Sequence, residues 1–183
     1  MDRIIKADLY RYGGLKGWKG LLKAFLFIPG FRYTYYLRKR TKYKKYSIRG
    51  IFFRLLKKRC SFKYGYQIRS TQIGEGFYLT DHRGYIVIGE AKIGRNCNVA
   101  HAVTIGRTYK NGKTVFPTIG DRVWFGTGSV VVGDIRIGTD VLIAPNAYVN
   151  FDVPDNSLVI GNPGKIIRKD NPTKNYIRYI LDE

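Results

Sequence analysis

The chain has 183 residues, 44% apolar and 25% charged, and carries a formal charge of +20. That length supports one domain with its own core. Two cysteines, Cys60 and Cys97, exclude a disulfide framework and a cysteine-rich zinc site, and two histidines, His82 and His101, exclude a three-histidine metal centre within one chain.

The charge is unevenly placed. Residues 1–69 hold 20 Lys+Arg and 2 acids, whereas residues 70–183 hold 13 and 11. No secretory pattern follows the Met-Asp start, and the apolar stretch 24–31 is broken by Pro29-Gly30, far short of the ~20 residues that span a bilayer. The sequence therefore reads as a soluble or peripheral cytoplasmic protein. Residues 1–63 form a basic helical region. Leu15, Trp18, Leu22 and Phe25 follow helical spacing beside Lys16, Lys19 and Lys23. Ser47 starts a second helix with Ile48, Ile51, Phe52 and Leu55 on one face. The basic run 38–46 lies between them. Two roles fit this region, alone or together: a helical cap whose apolar face covers the end of the next domain, and a peripheral surface for an anionic cytoplasmic membrane leaflet.

Residues 64–169 carry a repeat. Ile93, Val99 and Ile105 are six apart, and so are Ile119, Phe125, Val131, Ile137, Ile143 and Val149. Small residues such as Gly94, Ala100, Gly120, Gly126 and Ala144 follow them. A period of six is foreign to a helix but is a multiple of the strand period of two. It describes a coiled ribbon of short strands, each sending one aliphatic side chain to the axis, with a small residue at the corner. The expected architecture is mainly β, a parallel β-helix of hexapeptide repeats. Two breaks interrupt the grid. One lies between Leu79 and Val87 and holds Asp81-His82-Arg83-Gly84, two residues over register. The other is the polar segment 107–113, expected to loop out. In residues 170–183, Asn171-Pro172 reads as a helix start, with Tyr176, Ile177, Ile180 and Leu181 as an apolar face packing back on the coils.

These hexads, with Asp81-His82-Arg83-Gly84, Ile86-Val87-Ile88-Gly89-Glu90 and Val103-Thr104-Ile105-Gly106, resemble the serine acetyltransferase group of hexapeptide-repeat acyltransferases. The run 161–168, from Gly161-Asn162-Pro163-Gly164 to Arg168, looks like the terminal motif of hexapeptide acyltransferases. Asp8-Leu9-Tyr10-Arg11-Tyr12 and Pro29-Gly30-Phe31-Arg32 resemble a subgroup that O-acetylates bacterial capsular, exopolysaccharide or lipopolysaccharide sugars. The resemblance covers about residues 64–169 well and 1–63 loosely. It implies a left-handed β-helix, a homotrimer with sites between subunits, acetyl-CoA as donor, no metal, and a histidine general base, which by position is His82.

Two departures stand out. The coil before His82 reads Gly65-Tyr66-Gln67-Ile68-Arg69-Ser70, without the carboxylate that pairs with this histidine in serine acetyltransferases. Asp81, Glu90 or a backbone carbonyl is left to orient it. Arg107-Thr108-Tyr109-Lys110 replaces a glycine-rich loop. Both argue against free serine as acceptor. The expectation is O-acetylation of a surface-polysaccharide sugar or its lipid-linked precursor, at the inner face of the membrane. Serine O-acetylation and a non-catalytic polyanion-binding β-helix are the alternatives, and no nucleic-acid motif is present. His101, 19 residues after His82, is close to one coil further on and is a second catalytic candidate. For the phosphates of coenzyme A, candidates are Gly126, Thr127, Gly128, Ala144, Pro145, Asn150, Lys165 and Arg168.

Overall fold

A computed structural model describes residues 1–70, 72–80 and 84–181. Most of the chain after residue 65 winds into a parallel β-helix with three faces. The first face stacks Tyr66–Ile68, Ile86–Ile88, Thr104–Gly106, Val130–Val132 and Tyr148–Val149. The second stacks Lys92–Ile93, Thr118–Ile119 and Arg136–Ile137, extended by parallel bridges from Ile73 to Ile93 and from Ile137 to Val153. The third stacks Tyr78–Leu79, Asn98–Val99, Val123–Phe125, Val141–Ile143 and Ser157–Ile160, and Lys165–Arg168 closes it as an antiparallel strand. All nine grid residues are buried, and with Ile68, Ile73, Leu79 and Val159 they fill the axis. The period of six is thus the side of a triangle.

The first break needs one correction. Ile88, not Val87, pairs with Ile105 and with Ile68, and Val87 is only half-buried. Three residues, rather than two, are extra after Leu79, and the next side is a residue short, running from Ile88 to Ile93. The second break forms a two-stranded hairpin, Thr108–Lys110 with Lys113–Val115. Its turn is Asn111-Gly112, both with positive φ, the conformation that this dipeptide adopts most readily.

Glycine is obligatory at one corner. Gly74, Gly94, Gly120 and Gly138 stack there, and the amide of Gly120 donates to the Ile137 carbonyl at 2.8 Å. A Cβ on Gly120 would lie 2.7 Å from the backbone carbonyl of Gly138. Gly120→Ala is expected to cost roughly 1–3 kcal/mol by overpacking, which thermal unfolding followed by circular dichroism reads as a lowered midpoint. An unchanged midpoint would mean that neighbouring coils are not in such close contact.

Four helices stand among the described residues: α1 (Arg3–Tyr10), α2 (Gly17–Phe27), α3 (Pro29–Lys42) and α4 (Ile48–Tyr64). Ser47 caps α4, its hydroxyl accepting from the Gly50 amide. The helices complete the first coil, which has no earlier coil to bond with. The Phe77 amide donates to Asp8 Oδ1 at 3.0 Å, the Ile68 amide to the Tyr33 hydroxyl at 3.2 Å, and the Leu79 amide to the Tyr12 hydroxyl at 3.3 Å. The guanidinium of Arg38 donates to the carbonyls of Ile73 and Gly74 at 2.5 and 2.6 Å, and Lys57 Nζ to that of Ile68 at 2.9 Å. An open strand edge is thereby covered with polar side chains in place of a strand.

Two expectations about the ends change. Most of the residues that seal the β-helix are on α1 and α3, with Tyr12 just after α1 and Lys57 on α4, and most of the expected capping residues point outward, only Leu15 and Phe25 packing inside the helical region. Trp18 is 71% exposed and Ile48 88% exposed, and Leu22, Ile51, Phe52 and Leu55 are exposed with them. In α2 the buried face is Gly20 and Ala24 instead. The C-terminal segment is a series of turns over 171–177, not a helix, with Asn171 and Tyr179 in the left-handed region. It does pack back on the third face. Thr173 bonds Asp140, the Tyr176 ring lies 4.8 Å from that of Trp124, and Asn98 Nδ2 donates to the Tyr176 carbonyl at 3.2 Å.

Candidate active site

Asp81 and His82 lie outside the described residues, so the corner between the third and first faces is built from what surrounds them. His101 sits at that corner, half-buried, and a Cβ on Gly84 would lie 3.0 Å from the His101 Cβ. Gly84 has φ +111, so the chain passes His101 with no room for a side chain. One coil on, Gly128 donates to the His101 carbonyl at 3.2 Å. Gly126, Thr127 and Gly128 then stack on Ala144, Pro145 and Asn146: Gly126 N donates to Ile143 O, Asn146 N to Thr127 O, and Ala144 N to Val159 O. The amides of Gly126, Gly128 and Ala144 are therefore committed to the ladder, which removes them as free donors to an oxyanion or a phosphate.

The coenzyme candidates fall into three places. Gly126, Thr127, Gly128, Ala144 and Pro145 share the His101 corner. Asn150 is on the other side of the first face, in a hollow with Tyr148 and Arg107 under the 108–115 hairpin. Lys165 and Arg168 are on the terminal antiparallel strand, exposed, with Arg168 Nη1 donating to the Asp155 carbonyl at 2.9 Å. Within one chain the structure does not bring these groups together.

A cleft of about 470 Å³ opens at the far edge of the first face. Gln67, Arg69, Glu90, Arg107 and Phe116 line it with the backbone of Gly89 and Gly106. Phe116 reaches it because the hairpin turns the chain back, and its ring lies over Gly89, leaving no space for a Cβ. The cleft thus holds two guanidinium groups and one carboxylate. Sequence reading missed Phe116 and Thr114 here, since only the hairpin fold carries them back from an insertion. The signal available was the Asn111-Gly112 turn. His101 precedes the strand Thr104–Gly106 and the cleft follows it, so a three-residue strand of roughly 10 Å separates them.

Neither thiol is suited to carry an acyl group. Cys97 is buried, and its thiol is pushed up to about 12 by desolvation. Burial likewise raises Cys60. A thiol held protonated and out of reach is a poor nucleophile.

Residues 116–150 match the family model described as bacterial transferase hexapeptide (six repeats). This is a hexapeptide-repeat β-helix. The hexapeptide-repeat chain is 36% identical over 140 residues to serine acetyltransferase 2 of Arabidopsis thaliana, covering 69% of this chain and 43% of the plant protein. It is 42% identical over 100 residues to the serine acetyltransferase of Helicobacter pylori, covering 54% of this chain and 58% of that one. The chain therefore spans about half the length of the curated relatives it matches. Among solved structures, serine acetyltransferase from Neisseria gonorrhoeae superposes with a TM-score of 0.74 at 30% identity, over 92% of this chain and 65% of that one. The serine acetyltransferase of Brucella abortus in complex with coenzyme A gives 0.68 at 28% identity, over 91% and 67%.

These matches overturn the polysaccharide expectation. The relatives and solved structures named above are serine acetyltransferases, and a match over 92% of the chain takes in most of the helical region on which the sugar reading rested. The structure shows why those helical motifs misled. Asp8, Arg11 and Tyr12 bond the first two coils, and Gly30 lies against the Leu79 carbonyl, where a Cβ would come within 2.8 Å. They seal the β-helix and are not available to an acceptor.

Proposed function

We propose that this β-helix transfers an acetyl group from acetyl-CoA to the hydroxyl of L-serine. The likeness in fold and sequence to serine acetyltransferases carries the reading. The cleft supports it: Arg69 and Arg107 suit a carboxylate, and Glu90 suits an ammonium, so the three charges match a small amino-acid zwitterion. The replacement of the glycine-rich loop by Arg107-Thr108-Tyr109-Lys110 is then one source of that charge rather than an argument against serine. An acetyl-CoA-dependent reaction also fits the cytoplasm.

The chemistry needs a base, because a serine hydroxyl attacks a thioester only as its proton leaves. A neutral imidazole, ordinarily with pKa near ~6.5, suits that role near neutral pH. In this reading His82 accepts the hydroxyl proton and the serine oxygen bonds to the acetyl carbon. The carbon–sulfur bond then breaks, and coenzyme A leaves as thiolate and is reprotonated. Asp81 or a backbone carbonyl is left to orient the ring, since Glu90 lines the cleft at the far edge of the face. Because the His101 corner and the charged cleft are at opposite edges of one face, the reading places the complete site between neighbouring subunits of a homotrimer. There the coenzyme would run from the Gly126–Gly128 and Ala144–Pro145 corner toward Lys165 and Arg168, with Asn150 contributed from the opposite edge.

The test is release of free thiol from acetyl-CoA by the purified chain, with and without L-serine, and mass-spectrometric detection of O-acetylserine. Serine-dependent release with one acetyl transferred per thiol is expected. Arg107→Ala is expected to raise KM for serine about tenfold or more, in line with loss of a charged hydrogen bond, while KM for acetyl-CoA stays nearly constant. Thiol release that serine does not stimulate would overturn the reading.

A further inference from the structure

Among the described residues, nothing packs on the outward face of α4. Ile48, Ile51, Phe52, Leu55 and Phe62 recur at three-, four- and seven-residue intervals, which places them on one side of the helix, and all are exposed. Arg59 lies within the stripe by the same spacing, with Lys58 and Lys63 beside it. The helix α2 repeats the design with exposed Trp18, Leu22 and Leu26 four apart and Lys19 and Lys23 alongside. No helix of the described residues is long and apolar enough to cross a membrane. We propose that the α4 stripe, with α2 as a second contact, docks this protein in the plane of an anionic lipid surface.

Charge chooses the occupant. The α4 segment has six Lys+Arg and no acid. In residues 1–69 the only two acids are Asp2 and Asp8, and both are engaged, with Lys42 and Arg38 respectively, each at 2.9 Å. The helical region of a second copy would therefore bring cations against cations and no carboxylate to offset them. A nucleic acid would answer the cations and leave the apolar stripe in water. An anionic bilayer interface satisfies both, taking the apolar side chains below its headgroups and the cations among its phosphates. Aromatic side chains at the stripe, Phe52 and Phe62 on α4 and Trp18 on α2, suit the boundary between headgroup and acyl chain.

The experiment uses the full chain with vesicles of phosphatidylcholine alone and of phosphatidylcholine with about 30% phosphatidylglycerol. Co-sedimentation is expected with the anionic vesicles only and should weaken as salt rises. Trp18 should shift its emission to the blue on binding, while Trp124, packed on Tyr176, stays constant. The double substitution Phe52→Glu and Leu55→Glu should reduce vesicle binding roughly tenfold or more. Because both residues are exposed, it should leave the thermal midpoint and the activity in solution unchanged. Three results would overturn the proposal: no preference for anionic vesicles, vesicle binding untouched by the double substitution, or a concentration-dependent dimer that the same substitution dissolves. Binding to RNA without binding to vesicles would equally count against it.

Discussion

Asp8→Ala is expected to be among the most damaging single substitutions in this protein, lowering stability by about 3–5 kcal/mol and the thermal midpoint by roughly 10 °C. Asp8 lies at 1% exposure under α3, with Arg38 Nε donating to Oδ2 at 2.9 Å and Arg38 Nη2 to Oδ1 at 3.2 Å. Burial pushes its carboxyl above the usual range, and the Arg38 charge with the Phe77 amide pulls it back. Removing the carboxylate leaves a buried guanidinium uncompensated and orphans the Phe77 amide of the first coil. The sign and origin are checked by a double-mutant cycle. Arg38→Met on the wild-type background leaves a buried carboxylate and should also cost several kcal/mol. The double variant Asp8→Ala, Arg38→Met should be less unstable than the sum, since neither charge is then left alone. It should not reach wild type, because Arg38 also serves the carbonyls of Ile73 and Gly74. Strict additivity would show that the pair is not coupled and that the cap holds the coil in some other way.

This pair also marks the limit of what could be read from sequence. The β-helix was legible because its cause is local and repeated: one inward aliphatic per six residues, from Ile93 to Val149, and a small residue at the turn. The helical end was legible only as helix. Its burial pattern departs from the usual one, with Asp8, Arg11 and Arg38 buried beside Leu9, Phe31 and Leu37, and Trp18, Ile48 and Phe52 outside. The helix α3 hid for the same reason, since its buried face of Phe31, Tyr33, Thr34, Leu37 and Arg38 mixes aromatic, polar and charged residues and shows no apolar period. What these residues have in common is a task set by the end of the β-helix, to replace the hydrogen bonds of a missing coil, and no spacing within α1 or α3 announces that. The cleft was illegible for a related reason: Arg69, Glu90 and Arg107 are 17 to 38 residues apart and meet only because successive coils place them at one edge.

His82→Ala is expected to lower kcat for acetyl transfer by roughly 10²–10⁴-fold, with KM for acetyl-CoA little changed, if His82 takes the proton in the rate-limiting step. The prediction rests on the reading of the Asp81-His82 excursion and on its setting: Gly84, two residues along, passes against His101 at a corner where the neighbouring amides are already bonded. The two histidines give the experiment its discrimination. A general base must be deprotonated to act, so kcat/KM of the wild type should fall with unit slope on the acid side of its profile. In His82→Ala that acid limb should vanish along with most of the rate. His101→Ala should keep the limb and lose less, because the bond that ties His101 to the ladder is made by its carbonyl, which the substitution leaves in place. The reverse pattern, with the limb lost in His101→Ala and kept in His82→Ala, would assign the base to His101. Loss in both to the same degree, without additivity in the double variant, would mean that the two rings act as one unit across the corner. A His82→Ala protein that acetylates serine at the wild-type rate would end the mechanism proposed here, since no thiol of the chain is placed to take over the transfer.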